Sequence, residues 1–279
     1  MNLENFYSSW SLKNEKMIKN DLIGAMRKFN IIQKGLKKKK LLVLFDAMID
    51  FGCGYGSFLN LFFENNHIKN GFGFDFSNNS IRYAKNKHEK TNLSYHELKN
   101  LNPVDSVSLM RRKIEPLKKV DVIALIDLLE HVPDCYKLIH ELSIITDYFL
   151  IKLPLESSIF DNYVIKKTFP GPQHYNGHLR EFTVNNVYYF VRKLGLNPIF
   201  EQVYKYNIHD AFPLQKISFD NLSPLQILKR IYRIIQRFII KYFKFLMSKL
   251  LPTKIFLRLF GGGGYWCFAS YNNDHILKP

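Results

Sequence analysis

Cysteine is scarce in this chain: Cys53, Cys135 and Cys267 are the three in 279 residues, far apart and without a CxxC pair. That spacing argues against a disulfide scaffold or a structural zinc site, and a reducing cytoplasm is the expected compartment. Long apolar runs are missing too. The most apolar stretch, Leu41 to Phe63, holds Asp46, Asp50 and glycines at 52, 54 and 56, so it does not read as a bilayer-spanning helix. The opening MNLENFYSSWSLKNEK has no basic segment followed by an apolar core, and no secretory signal is expected. Acids are the other shortage. Twenty-four Asp and Glu face 40 Lys and Arg, a formal charge of +16 that points to an anionic partner. With 47% hydrophobic residues the chain can build a full core, which excludes a disordered or low-complexity protein.

What is present is alternation. A helical region from Asn14 to Lys37 leads to an apolar strand, Ala47 to Phe51, then to a glycine-rich turn and the helical pattern SFLNLFFENN. A second strand (Gly71 to Asp75), a helix (Asn78 to His88) and a strand near Leu93 to His96 follow. VDVIALID (Val120 to Asp127), a helix from Asp134 to Thr146 and the strand Tyr148 to Pro154 complete the series. Strands joined by helices imply right-handed crossovers, hence a doubly wound α/β sheet, parallel over this stretch, with helices on both faces.

Ligands of such sheets sit at the carboxyl ends of the strands. The first strand ends in Asp50-Phe51-Gly52-Cys53-Gly54-Tyr55-Gly56, where glycines permit a sharp turn and close approach to a ligand before a helix N-terminus. A GxGxG alone also fits a tight βα turn without a ligand. The second strand, however, ends in Asp75, placed to accept hydrogen bonds from ribose hydroxyls. The third glycine comes one residue too early for the dinucleotide GxGxxG pattern, and nothing suggests hydride chemistry.

IDFGCGYGSF resembles the first motif of the class I S-adenosylmethionine-dependent methyltransferases, GFGFDFS their second, SYHEL their adenine-side segment and VDVIALIDLLEHVPD their fourth. The resemblance covers Leu41 to Tyr204. It implies a Rossmann-like methyltransferase core with S-adenosyl-L-methionine as cofactor. Asp50 would serve the cofactor's amino group, directly or through water, and Gly52 and Gly54 would make room for its methionine part. Asp75 would hold the ribose, Phe76 would lie along the adenine, Glu97 would meet the adenine amine, and Ile126 and Asp127 would line the sulfonium side. Asp127 also fits an N-cap of a helix over LLEH.

The sulfonium is already activated, so alignment supplies most of the rate, and a hydroxyl acceptor needs a base nearby. His131, His174 and His178 are the candidates. His131 lies in Glu130-His131-Val132, where a scaffold role is equally open. His174 and His178 belong to FPGPQHYNGHLREFT, a polar segment after the fifth strand that can fold over the cleft. GHLREFT resembles a segment of the ubiquinone-biosynthesis and surface-glycan methyltransferase types, leading there into a helix, here Val184 to Leu194 with Thr183 as N-cap. His178 and Arg180 also suit the simpler task of pinning this segment to the sheet. No metal is expected, because the two histidines lie in a Pro-Gly context and no third ligand is evident.

The last two strands of this fold form a hairpin, the final one antiparallel, and here NPIFEQVYKY (Asn197 to Tyr206) and GYWCFAS (Gly264 to Ser270) are far apart. From Asn221 onward there are ten basic residues and one acid. Between Ser223 and Leu250 the polar and basic residues fall in a stripe of helical spacing, with Ser223 and Pro224 as start signals and Pro252 as the stop. KIFLRLF (Lys254 to Phe260) is expected to prolong this amphipathic helix. Such a helix suits an anionic membrane surface. Packing on the core or in a homodimer is the alternative, and nucleic acid is the weakest because the aromatics fall mostly on the apolar side.

The expected organisation is an N-terminal helical region (1–40), a methyltransferase core (41–204), a basic amphipathic insertion (205–263) and the last core strand with a tail (264–279). The expected function is O-methylation of a small-molecule, glycan or lipid-linked acceptor by a cytoplasmic enzyme, peripheral on the inner membrane face. RNA methylation and a non-catalytic cofactor-binding role are the alternatives.

Overall fold

The computed structural model describes residues 15–41, 44–99, 102–156, 158–160, 178–206 and 223–271. Helix α1 (Glu15–Lys38) precedes β1 (Phe45–Phe51), α2 (Ser57–Glu64), β2 (Ile68–Asp75), α3 (Asn78–His88), β3 (Leu93–Glu97) and α4 (Pro103–Lys113). Then come β4 (Val122–Ile126), α5 (Cys135–Leu142), β5 (Tyr148–Leu155), α6 (Val187–Lys193), β6 (Leu196–Lys205), α7 (Pro224–Leu250), α8 (Thr253–Phe260) and β7 (Gly263–Tyr271). The seven strands form one sheet in the order β3-β2-β1-β4-β5-β7-β6. All pairs are parallel except those of β7, which runs antiparallel to both β5 and β6.

The strands read as apolar runs because both faces of the sheet are covered. On β4, Ile123 and Leu125 enter one core layer and Val122, Ala124 and Ile126 the other, the period-2 alternation of a pleated strand. Strand order reverses between β1 and β4. The crevice outside their carboxyl ends is where such a sheet receives a ligand.

Three local expectations change. Helix α4 was not anticipated, although Asn102 caps it by accepting from the Val104 amide at 3.0 Å and Pro103 opens its first turn. Helix α6 begins at Val187, not Val184. Thr183 instead closes a turn with Asn186, exchanging bonds of 2.8 and 3.2 Å with it. The Lys254 to Phe260 stretch does not prolong α7 but forms the separate helix α8, which buries Phe256, Leu257 and Phe260 in the core.

Helix α7 has its expected limits and a full capping box between Ser223 and Gln226. Its orientation is unexpected. Lys244, on the basic stripe, is fully buried, its Nζ donating to the Phe260 carbonyl at 2.9 Å and lying 5.3 Å from the Phe160 ring. An ammonium suits the last carbonyls of a helix, where the peptide dipoles leave negative charge. The polar stripe thus turns toward the protein at Lys244. Leu228, Ile235, Phe238, Ile239, Tyr242 and Leu250 turn outward, 51% to 75% exposed, so much of the apolar face is left uncovered, while Met247 packs against the core and Phe243 against Phe260.

Candidate active site

The turn after β1 is shaped by backbone that side chains resist. Gly52 and Gly54 have φ of +86° and +52°, the left-handed region that glycine enters without strain. The Gly52 and Cys53 amides both donate to the Phe74 carbonyl, tying the turn to β2. A Cβ on Gly54 would meet nothing within 4 Å, because this glycine borders a cavity. Gly56 differs: a Cβ there would lie 2.6 Å from Tyr95, so the third glycine serves packing.

The cavity measures about 510 Å³ and lies at the carboxyl ends of β1, β2, β4 and β5. Of the residues singled out in the sequence, Gly52, Gly54, Asp75, Phe76, Ile126, Asp127, His131 and His178 line it. Asp50 lies beneath, 2% exposed, with Oδ1 lacking any hydrogen-bond partner. Burial pushes its carboxyl up to about 7, against the opposing charge of Lys28. A buried carboxylate without a partner is costly, and an incoming ammonium would relieve it. Asp75 accepts from the Gly54 amide at 2.9 Å through Oδ2 and from the Ser77 amide at 2.8 Å through Oδ1, so it also holds the turn in place. Burial nevertheless raises its pKa.

Glu97 stands apart. It accepts from the Asn78 side chain at 2.6 Å and borders a separate cavity of about 360 Å³ with Leu98 and Arg112. His174 lies outside the described residues.

Asp127 does not cap a helix, since residues 128–131 form a turn and α5 is capped by Asp134. It has a left-handed φ of +53° and pairs with Lys28 at 2.8 Å and with the buried Lys152. Burial opposes its charge, but Lys152 and then Lys28 outweigh it and hold the carboxyl well below the usual range. Lys152 also donates to the Tyr206 hydroxyl oxygen at 2.6 Å.

Beside Asp127 the structure assembles a second group. Arg180 pins its segment to the loop after β4, not to a strand, donating to the Leu129 and Pro133 carbonyls at 2.8 and 2.6 Å and also to Val132. The Leu179 amide donates to the Glu130 carbonyl at 2.8 Å. His178 is thereby set edge-on to His131, ring centroids 4.6 Å apart, with Nδ1 bonded to Glu156 at 2.7 Å. Burial would lower the pKa of His178, but the Glu156 bond outweighs it and raises it. Glu130 is wholly buried, and burial next to Asp127 pushes its carboxyl up to about 8.

Asp21, Lys28, Glu130, Lys152, Glu156 and Tyr206 line the cavity without having been singled out in the sequence. Asp21 and Lys28 arrive on α1, from outside the sheet. Their helical spacing was visible, but nothing local linked them to the glycine turn.

A family model described as a methyltransferase domain matches residues 31–200. Among solved structures, the Haloferax volcanii complex of the Trm112 methyltransferase activator with a candidate methyltransferase matches at 14% identity. The match covers 95% of this chain and 97% of that one, with a TM-score of 0.55. A candidate sarcosine dimethylglycine methyltransferase from Galdieria sulphuraria matches at 12% identity over 88% and 85% of the two chains, with a TM-score of 0.51. Both are likenesses of fold. No curated protein matches the chain.

Proposed function

We propose, for a chain that belongs to the methyltransferase-domain family and so is an S-adenosylmethionine-dependent transferase, that it methylates an oxygen of a lipid-linked or other small acceptor at an anionic membrane surface. The observation that carries the cofactor site is the pairing of the open Gly54 turn with the orphaned Asp50 carboxylate beneath it. Both fit the group: Asp50 awaits a cation, and the space beside Gly54 admits a ligand against bare backbone. The cofactor supplies an activated methyl group on a sulfonium. Asp50 receives its ammonium, Asp75 keeps free lone pairs for ribose hydroxyls, and Phe76 offers a ring to the adenine. Asp21 and Asp75 on the cavity walls suit the cofactor's net positive charge.

Acceptor chemistry falls to the far end of the cavity, where Glu130, His131 and His178 converge. These side chains would orient an acceptor hydroxyl there and govern the loss of its proton.

The membrane reading rests on α7. Its outward apolar face is flanked by exposed Lys229, Arg233 and Lys249, an arrangement for a helix lying in an anionic interface. Among the described residues no helix is long and apolar enough to cross a membrane. Flotation with vesicles tests it: the protein should rise with phosphatidylglycerol vesicles and stay down with neutral ones or when Ile235, Phe238 and Tyr242 are changed to Ser. A wild-type protein that never floats, yet forms a dimer that this triple change dissociates, contradicts the membrane site.

A further inference from the structure

Glu130, His131 and His178 form the one cluster among the described residues whose ligand atoms could meet a single ion: one atom from each lies within 4.8 Å of the others. Three features of the cluster exceed chance proximity. Glu130 is 0% exposed and neither of its carboxylate oxygens has a hydrogen-bond partner. A buried carboxylate without a donor needs either a proton or a cation. His178 is already oriented. Its Nδ1 is held by Glu156 at 2.7 Å, which leaves Nε2 as the nitrogen free to turn into the cluster, the carboxylate–histidine arrangement that raises ligand basicity. Finally, the two chain segments are clamped together by Arg180, whose guanidinium spans the carbonyls of residues 129 and 133.

We propose that these three side chains bind a divalent transition-metal cation, with the remaining position open to the methyl acceptor. Two imidazoles and one carboxylate form an N2O donor set that suits manganese, iron, cobalt or zinc better than magnesium or calcium. Metal–ligand bonds of about 2.0–2.2 Å put ligand atoms about 3–4 Å apart, so closing on the ion requires atoms that now lie within 4.8 Å of one another to approach by at most about 2 Å. Asp127 is not counted as a ligand, because Lys28 and Lys152 already occupy its oxygens.

The proposal deepens the function above. A metal in this place would bind the acceptor oxygen and lower its pKa. The hydroxyl proton leaves to water, the oxygen forms its bond to the methyl carbon, and the carbon–sulfur bond breaks with its electron pair left on sulfur. His131 and His178 then act as ligands, and the metal does the work of a base.

The full chain, stripped with chelator and titrated with CoCl2, tests the site without any turnover. Wild-type protein should bind one equivalent and show the visible absorption of a nitrogen-ligated, low-coordinate cobalt ion. Glu130→Gln and His131→Ala should each weaken binding by roughly tenfold or more while keeping wild-type affinity for S-adenosylhomocysteine. Absence of cobalt binding in a wild-type protein that binds S-adenosylhomocysteine would overturn the metal site and leave the methyltransferase reading standing. Equal cobalt affinity in wild type and both variants would overturn it as well. Failure of the methyltransferase reading has a separate signature, loss of S-adenosylhomocysteine binding with cobalt binding intact.

Discussion

Cofactor affinity should depend on pH through Asp50. Its carboxyl is buried, lacks a partner at Oδ1 and titrates at about 7, because burial outweighs the attraction of Lys28. The cofactor's ammonium is attracted to the carboxylate form. At pH 6 about nine-tenths of the free protein carries a proton there, which must be lost on binding at a cost of about 1.4 kcal/mol, tenfold in affinity. At pH 5 the cost is about 2.7 kcal/mol, a hundredfold. The same shift has a definite sign for stability. The folded pKa lies above the unfolded value, so between about pH 4 and 7 the folded chain holds a proton that the unfolded chain releases, and apo stability falls as pH rises through this window. Calorimetric titration with S-adenosylhomocysteine at pH 5, 6, 7 and 8 should show affinity rising and then levelling above 7. Asp50→Asn should flatten the slope that Asp50 contributes. A wild-type affinity constant across this range, or an Asn variant with the wild-type slope, would show that Asp50 does not receive the ammonium.

Three further outcomes follow from the geometry. Asp75→Ala should weaken S-adenosylhomocysteine by roughly 2 kcal/mol or more in calorimetry, since hydrogen bonds to a charged acceptor are lost and the Gly54 amide is released. His178→Ala should keep cofactor affinity while single-turnover methyl transfer slows by roughly a hundredfold or more, as expected for a group at the acceptor end. Lys244→Ala should lower stability by about 2 kcal/mol or more in thermal unfolding, because the Phe260 carbonyl at the end of α8 loses a charged donor.

The frame of this fold is local information, and so it is legible in the chain. Asp50, the glycine turn and Asp75 lie within 26 consecutive residues on two adjacent strands, and helix and strand periods alternate cleanly around them. Signals for α4 were also present in Asn102 and Pro103. What could not be read is what tertiary packing brings together. Lys28 and Lys152 are 124 positions apart and meet only across Asp127. Glu130 gains its meaning from His178, 48 residues later, once Arg180 has docked the segment. Lys244 shows the limit of pattern reading in another way. Spacing placed it on the basic stripe, but a neighbouring helix end gave it a buried partner.

The central claim is that the cavity beyond β1 and β2 holds S-adenosylmethionine. Titration of the wild-type chain with S-adenosylhomocysteine at pH 8, where Asp50 is ionised, tests it most directly. Saturable binding of one equivalent per chain, weakened in Asp75→Ala, is the expected result. Absence of binding by folded wild-type protein at millimolar ligand would contradict it.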